Sequence, residues 1–211
     1  MQLAEHYNKV IATDSTQTQL EHAVPHPKVT YTLTDHQMTD EQVRAVVGED
    51  GSVDLVTCAQ SLHWFNLDSF YGHARRVLRK PGGVIAAWAY GTPSVSPAVD
   101  AVLDTFGVQI HQYWAPETAY VRDCYKSIPF PFAPVAPLTT TGPFNFEATK
   151  EKSLSEYLTH LRSWSAVQKA IDDGRDVWSE HQQKLFADAW EESPQTVRTV
   201  KWTLHTLIGT V

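Results

Sequence analysis

Four short β-branched apolar runs, separated by stretches of helical length, occupy the first ninety residues, and this alternation restricts the fold more than any other feature of the chain. Residues 9–13 (KVIAT) form the first run and end at Asp14; the following STQTQLEHA opens on Ser/Thr capping residues and has helical composition. Pro25 and Pro27 stop that helix, and residues 28–34 (KVTYTLT) alternate as a second strand should. Residues 38–48 (MTDEQVRAVVG) are predicted to be a helix begun by Thr39 and closed by Gly48. Residues 52–59 (SVDLVTCA) are nearly continuous apolar, the mark of a strand buried on both faces, with Cys58 as a small core residue. Residues 67–79 follow as a helix with Phe70, Ala74, Val77 and Leu78 on one face, Lys80-Pro81-Gly82-Gly83 ends it, and residues 84–90 (VIAAWAY) are the fourth strand. Strands joined through helices imply parallel pairing with right-handed crossovers, a doubly wound α/β sheet.

The second half has a different texture. Residues 96–110 have helical character, residues 127–143 place Pro129, Pro131, Pro134, Pro137 and Pro143 among aromatics, and residues 144–149 (FNFEAT) suggest a short strand. Residues 151–170 are predicted to be one amphipathic helix carrying Leu154, Leu158, Leu161 and Trp164 along one side. A helix over residues 175–191 and a strand over 199–208 complete the chain, and the proline stretch is too aromatic for a solvated linker. The 211 residues are expected to form a single domain, with 1–95 as one part and 96–211 as a substrate-side cap with C-terminal strands.

Seventeen Lys and Arg against 24 Asp and Glu leave a net charge of −7, so nucleic acid is not an expected partner. Cys58 and Cys124 are too few for a disulfide scaffold, which fits a reducing compartment. No apolar run reaches the roughly 20 residues of a membrane helix, and MQLAEHYNKV is too polar for a secretory leader. The expectation is a soluble, cytoplasmic protein with no membrane partner. His22 and His26 flank a proline turn, and no metal site is expected among the ten histidines.

Several segments, in this order, resemble the class I S-adenosylmethionine-dependent methyltransferases, in particular the branch containing the methyltransferase type 11, trans-aconitate and plant embryo-abundant proteins. VIATD at 10–14 looks like the family's second strand with its terminal acid, VDLVTCAQSLHWFN at 53–66 like the fourth strand and its His-Trp-Phe loop, and RVLRKPGGVIAAWAYG at 76–91 like the helix, Pro-Gly-Gly turn and fifth strand. YWAPE at 113–117, IPFPF at 128–132 and YLTHLRSWSA at 157–166 are similar to elements of that branch. The resemblance implies a Rossmann-like sheet, S-adenosylmethionine as cofactor and a small-molecule substrate, with a carboxylate as one acceptor it suggests.

The sequence holds no GxGxG, the loop that follows the family's first strand, and MQLAEHYNK resembles the end of the helix after that loop. A truncated member is therefore expected, lacking the first central strand. That strand lies between the second and fourth, so the sheet must close up, borrow a strand from another chain, as in a dimer through its edges, or stay marginal. The alternative to an enzyme is a degenerate, non-catalytic fold acting as a binding partner. A nicotinamide-dependent oxidoreductase would need the same missing glycines.

The resemblance implies that Asp14 accepts the ribose hydroxyls of the cofactor, the alternative being a helix N-cap or turn acid, and that Asp35 approaches the adenine amino group, with Thr34 and His36 as competitors for that place. Gln60, Ser61 and Trp64 would line the cofactor pocket, with His63 either a general base or, like Trp64, a wall residue. Tyr113, Trp114 and Arg162 would face substrate, Arg162 as a bidentate partner for a carboxylate or simply as an exposed helix arginine. Trp164, at helical spacing from Leu161, is expected in the core.

Overall fold

Side-chain caps at Thr39, Asn66, Ser96 and Ser153 each start a helix. The computed structural model describes residues 2–35, 37–190 and 196–211. Its elements are α1 (Leu3–His6), β1 (Val10–Asp14), α2 (Gln17–Glu21), β2 (Val29–Leu33), α3 (Asp40–Val47), β3 (Leu55–Ala59), α4 (Leu67–Val77), β4 (Val84–Tyr90), α5 (Pro97–Ile110), α6 (Ala119–Arg122), β5 (Phe144–Lys152), α7 (Leu154–Arg162), α8 (Ser165–Asp172), α9 (Glu180–Trp190) and β6 (Arg198–Thr210). This is the mixed α/β fold expected, arranged as two compact units: Met1–Ala87 with Pro129–Thr141 and Ile208–Val211, and Trp88–Ile128 with Gly142–Leu207. None of the helices among the described residues is long and apolar enough to cross a membrane.

In the first unit β1 and β2 pair in parallel, Val10 opposite Val29 and Asp14 opposite Leu33. Thr39 starts α3 with a reciprocal cap: its hydroxyl accepts from Gln42 N, while Gln42 Oε1 accepts from Thr39 N. Asn66 caps α4 by accepting from Ser69 N. The two helices are tied by Asp40, which pairs with His73 Nε2 at 3.1 Å and with Arg76. Tyr71 of α4 donates to Pro129 O at 2.5 Å, and the Arg75 guanidinium lies 4.9 Å over the Phe132 ring, so the proline-rich stretch is packed here rather than solvated.

The sheets stay apart. β1 and β2 form a two-stranded sheet, and β3 belongs to a separate sheet of order β3-β4-β6-β5. Neither β1 nor β3 has a strand on its other side among the described residues. Of the outcomes expected for a sheet without the intervening strand, closing up has not occurred. This also corrects the expectation that residues 52–59 are buried on both faces: within β3 only Cys58 is fully buried, because an edge strand is covered on one side.

The turn before β4 depends on Gly83. Its N–H donates to Arg79 O at 2.9 Å, and a Cβ there would sit 2.6 Å from Arg79 O and 2.9 Å from Leu78 Cβ. The first obstruction is backbone and cannot swing away. Gly83→Ala is expected to destabilise the protein by about 1–3 kcal/mol, the usual cost of overpacking, read as a lower urea midpoint; an unchanged midpoint would show that the turn yields freely.

In the second unit β5 and β6 are antiparallel, with Phe144 opposite Thr206 and Lys152 opposite Arg198. The core joins Val99, Leu103, Phe106 and Ile110 of α5 to Tyr157 and Leu161 of α7, Ala166 and Val167 of α8, and Phe186 and Trp190 of α9. The single helix expected over 151–170 is replaced by three pieces. Glu151 and Lys152 finish β5, Ser153 and Glu156 form a capping box that starts α7, and extended backbone at Trp164 (ψ 135°) separates α7 from α8. Breaking the helix there sets the Trp164 ring 5.8 Å from Trp114, packed against the core as a partly buried residue. The helix expected over 175–191 starts at Glu180, where Ser179 Oγ accepts from Gln182 N; Glu191 lies outside the described residues.

Candidate functional site

Open α/β sheets bind ligands at the carboxyl ends of their strands, and in the first unit that edge carries the residues singled out in the sequence. β1 ends in Asp14, whose Oδ1 accepts from Thr16 N at 2.8 Å. Asp35, two residues past β2, repeats the arrangement by accepting from Gln37 N at 2.9 Å. Parallel pairing brings both carboxylates to the same end of one sheet, and Thr34 N donates to Asp14 O at 2.9 Å, fastening the second turn to the first strand. Each acid is thus a turn residue that spends one named oxygen on backbone.

At the end of β3 the chain makes a strained turn. Gln60 has φ 55°, a left-handed conformation costly for a residue with a Cβ and commonest where function demands it. Ser61 then leads into a single helical turn, Leu62–Trp64. Leu62 and His63 are buried, whereas Trp64 is 45% exposed and its ring lies 4.9 Å from that of His63. Phe65 stacks on Phe70 of α4 at 4.6 Å, anchoring the far side of the turn. Burying a large apolar ring normally stabilises a protein by kilocalories, so an indole left half in water beside a strained turn is a surface suited to stacking on a flat ligand.

The second unit holds Tyr113, Trp114 and Arg162. Tyr113 ends a helical turn after α5, and both it and Trp114 are partly buried against the core. From Trp114 a line of rings continues: Trp164, then His160 (6.1 Å from Trp164), Trp202 (5.7 Å from His160) and Tyr90 (6.4 Å from Trp202). His160 lines a cleft of about 350 Å³ with Lys152, Ser155, Glu156, Thr159 and Ser163. Burial and the Lys152 charge lower the His160 pKa, so its imidazole is neutral at pH 7. Arg162 is exposed and lines another cleft, about 260 Å³, with Leu158, Trp178 and Gln183.

The structure therefore sets Asp14 and Asp35 at the same end of one sheet, packs His63 on Trp64 and Trp114 on Trp164, and gives His160 and Arg162 neighbouring clefts that share Ser155 and Thr159. Sequence reasoning missed Tyr90, His160 and Trp202. His160 meets Trp164 only because the chain turns between α7 and α8, so helical spacing is no signal for it. Tyr90 and Trp202 come from β4 and β6, and only their placement in one unit brings them together.

A methyltransferase-domain family model matches residues 1–87. A Dictyostelium discoideum protein assigned as a methyltransferase is 33% identical over 194 residues, which is 88% of this chain and 67% of the relative. A solved structure of a protein from Anaeromyxobacter dehalogenans, assigned as a type II methyltransferase, is 31% identical with a TM-score of 0.77, covering 99% of this chain and 83% of that one.

Proposed function

The chain belongs to the class I S-adenosylmethionine-dependent methyltransferase family, and from that premise we propose that it transfers the methyl group of S-adenosylmethionine to a small-molecule acceptor, a carboxylate being the acceptor class favoured. The observation that carries this reading is the pair of carboxylates at the ends of β1 and β2. A carboxylate at a strand end, aligned by its own turn, can accept both hydroxyls of a ribose. Asp14 takes that role, Asp35 accepts from the adenine amino group, and Gln60, Ser61 and Trp64 line the pocket. These residues fit the nucleoside half of the cofactor; the glycine-rich loop for its methionine half has no counterpart in the 211 residues.

When bound, S-adenosylmethionine supplies an electrophilic methyl group on a sulfonium. The protein's own work is alignment, because an in-line displacement requires positioning above all. His63 is buried and serves as a wall residue holding Trp64. Tyr113 and Trp114 give the acceptor an aromatic surface, and Arg162 offers a carboxylate two parallel N–H donors. That relatives with such coverage are assigned as methyltransferases supports this reading over a purely binding role.

Calorimetric titration of residues 1–211 with S-adenosylmethionine and S-adenosylhomocysteine is expected to give micromolar dissociation constants. A well-folded protein that binds neither would sink the proposal.

A further inference from the structure

β5 closes the order β3-β4-β6-β5 and has no strand on its other side among the described residues. Its backbone makes no hydrogen bond there with any other described segment. β1 and β3 are also open on one side, but each offers five residues against nine in β5. A row of unpaired N–H and C=O groups is a template for another strand, and proteins usually block it with charge. Here Phe146 stands 53% exposed on that edge, and the charges leave one way of pairing open.

Directly paired residues share a face of a sheet. Lys150 is opposite Val200, which is buried in the core, so the even-numbered residues of β5 lie on the core side and the odd-numbered ones on the other. When a second β5 runs antiparallel to the first, about a two-fold axis at Ala148, all nine residues pair. Phe146 then faces Lys150 and Phe144 faces Lys152 on the core side, and each lysine can lay its stem and ammonium against a ring. On the other side Glu147 faces Thr149 and Asn145 faces Glu151. No like charges stand directly opposite. A slip of one residue sets core-side residues against outer ones. A slip of two sets Glu147 against Glu147 in one direction and against Glu151 in the other. The charges that guard this edge thus repel the neighbouring registers and admit this one.

We infer that a second copy of this chain docks on β5, antiparallel and centred on Ala148, and joins the two sheets into one. The surface uses none of the residues assigned to cofactor or acceptor and does not rest on the methyl transfer proposed above.

Sedimentation equilibrium over roughly 1–200 µM, a range suited to weak dimers, is expected to show the mass rising from 23.7 kDa toward twice that value. F146K sets a lysine against Lys150 on both sides of the axis and should raise the dimer dissociation constant by at least about tenfold. T149E acts on the other face, where it sets a glutamate against Glu147, and should weaken the dimer in the same way. Both positions are exposed, so the thermal midpoint of the dilute protein should not change. F146K/K150E puts opposite charges back across the axis and should recover most of the lost affinity. Within one strand these positions are about 13 Å apart, so recovery reports contact between copies. The inference is overturned by a mass that stays at 23.7 kDa over the whole range, by dimers that either folded single variant leaves intact, or by a double variant no tighter than F146K. Should F146K unfold the chain, T149E decides.

Discussion

Asp14→Ala is expected to weaken S-adenosylhomocysteine binding by about a hundredfold. A hydrogen bond to a charged group is worth about 1.5–3 kcal/mol. Two such bonds to a ribose, offset by the return of water to the hydroxyls, leave about 3 kcal/mol, or two decades in the dissociation constant. Alanine also removes the acceptor for Thr16 N, so a loss of affinity could arise from a loosened turn. Asp14→Asn separates the two: its amide oxygen can still accept from Thr16 N, while the negative charge is gone. An intermediate loss in D14N with unchanged stability would assign the effect to the ribose. Wild-type affinity in D14A would leave the carboxylate as a turn residue and nothing more.

Trp190→Ala should have the largest effect on stability. Trp190 is 1% exposed, packs against Tyr157 with ring centroids 5.3 Å apart, and donates from Nε1 to Thr196 O at 2.9 Å. Its backbone carbonyl also accepts from Arg198 Nε at 2.8 Å, so the end of α9 is held to the start of β6. Truncating a buried aromatic costs about 3–5 kcal/mol, a large part of the 5–15 kcal/mol typical of a whole domain. Urea unfolding should show a loss of unfolding free energy of that size, read from the midpoint shift multiplied by the m-value, with Trp190→Phe losing less because it keeps a six-membered aromatic ring. A loss below about 1 kcal/mol would mean that the core relaxes around the cavity.

Much of the fold was legible because it is written in short-range chemistry. Thr39 and Gly48 bracket α3 as capping preferences require, and Lys80-Pro81-Gly82-Gly83 separates α4 from β4. The misjudged helix over 151–170 shows how local evidence can mislead. Its apolar spacing runs unbroken, although Ser153-x-x-Glu156 already carries the signature of a helix start. The cap, not the periodicity, decides where the helix starts. The break at Trp164 had no local signal at all; what holds it is the meeting of that ring with Trp114, fifty positions earlier in the chain.

The candidate site divides the same way. Asp14 and Asp35 could be read because an acid closing a strand is visible within five residues, and Gln60 to Trp64 because the turn follows β3 directly. His160, Trp202 and Tyr90 lie on α7, β6 and β4, and no spacing rule connects them.

By itself, then, the sequence determined which segments become strands and helices in the first ninety residues, the acids at two strand ends, and the family. Those features depend on backbone preferences and capping bonds that span a few residues. Only the tertiary structure decided that the β1-β2 sheet remains separate from the sheet containing β3, that 151–170 is three pieces, and that the rings of His160, Trp202 and Tyr90 pack in one row. Strand pairing, core packing and hydrogen-bond satisfaction are set between residues distant in the chain, and their free energies exist only once the chain has closed on itself.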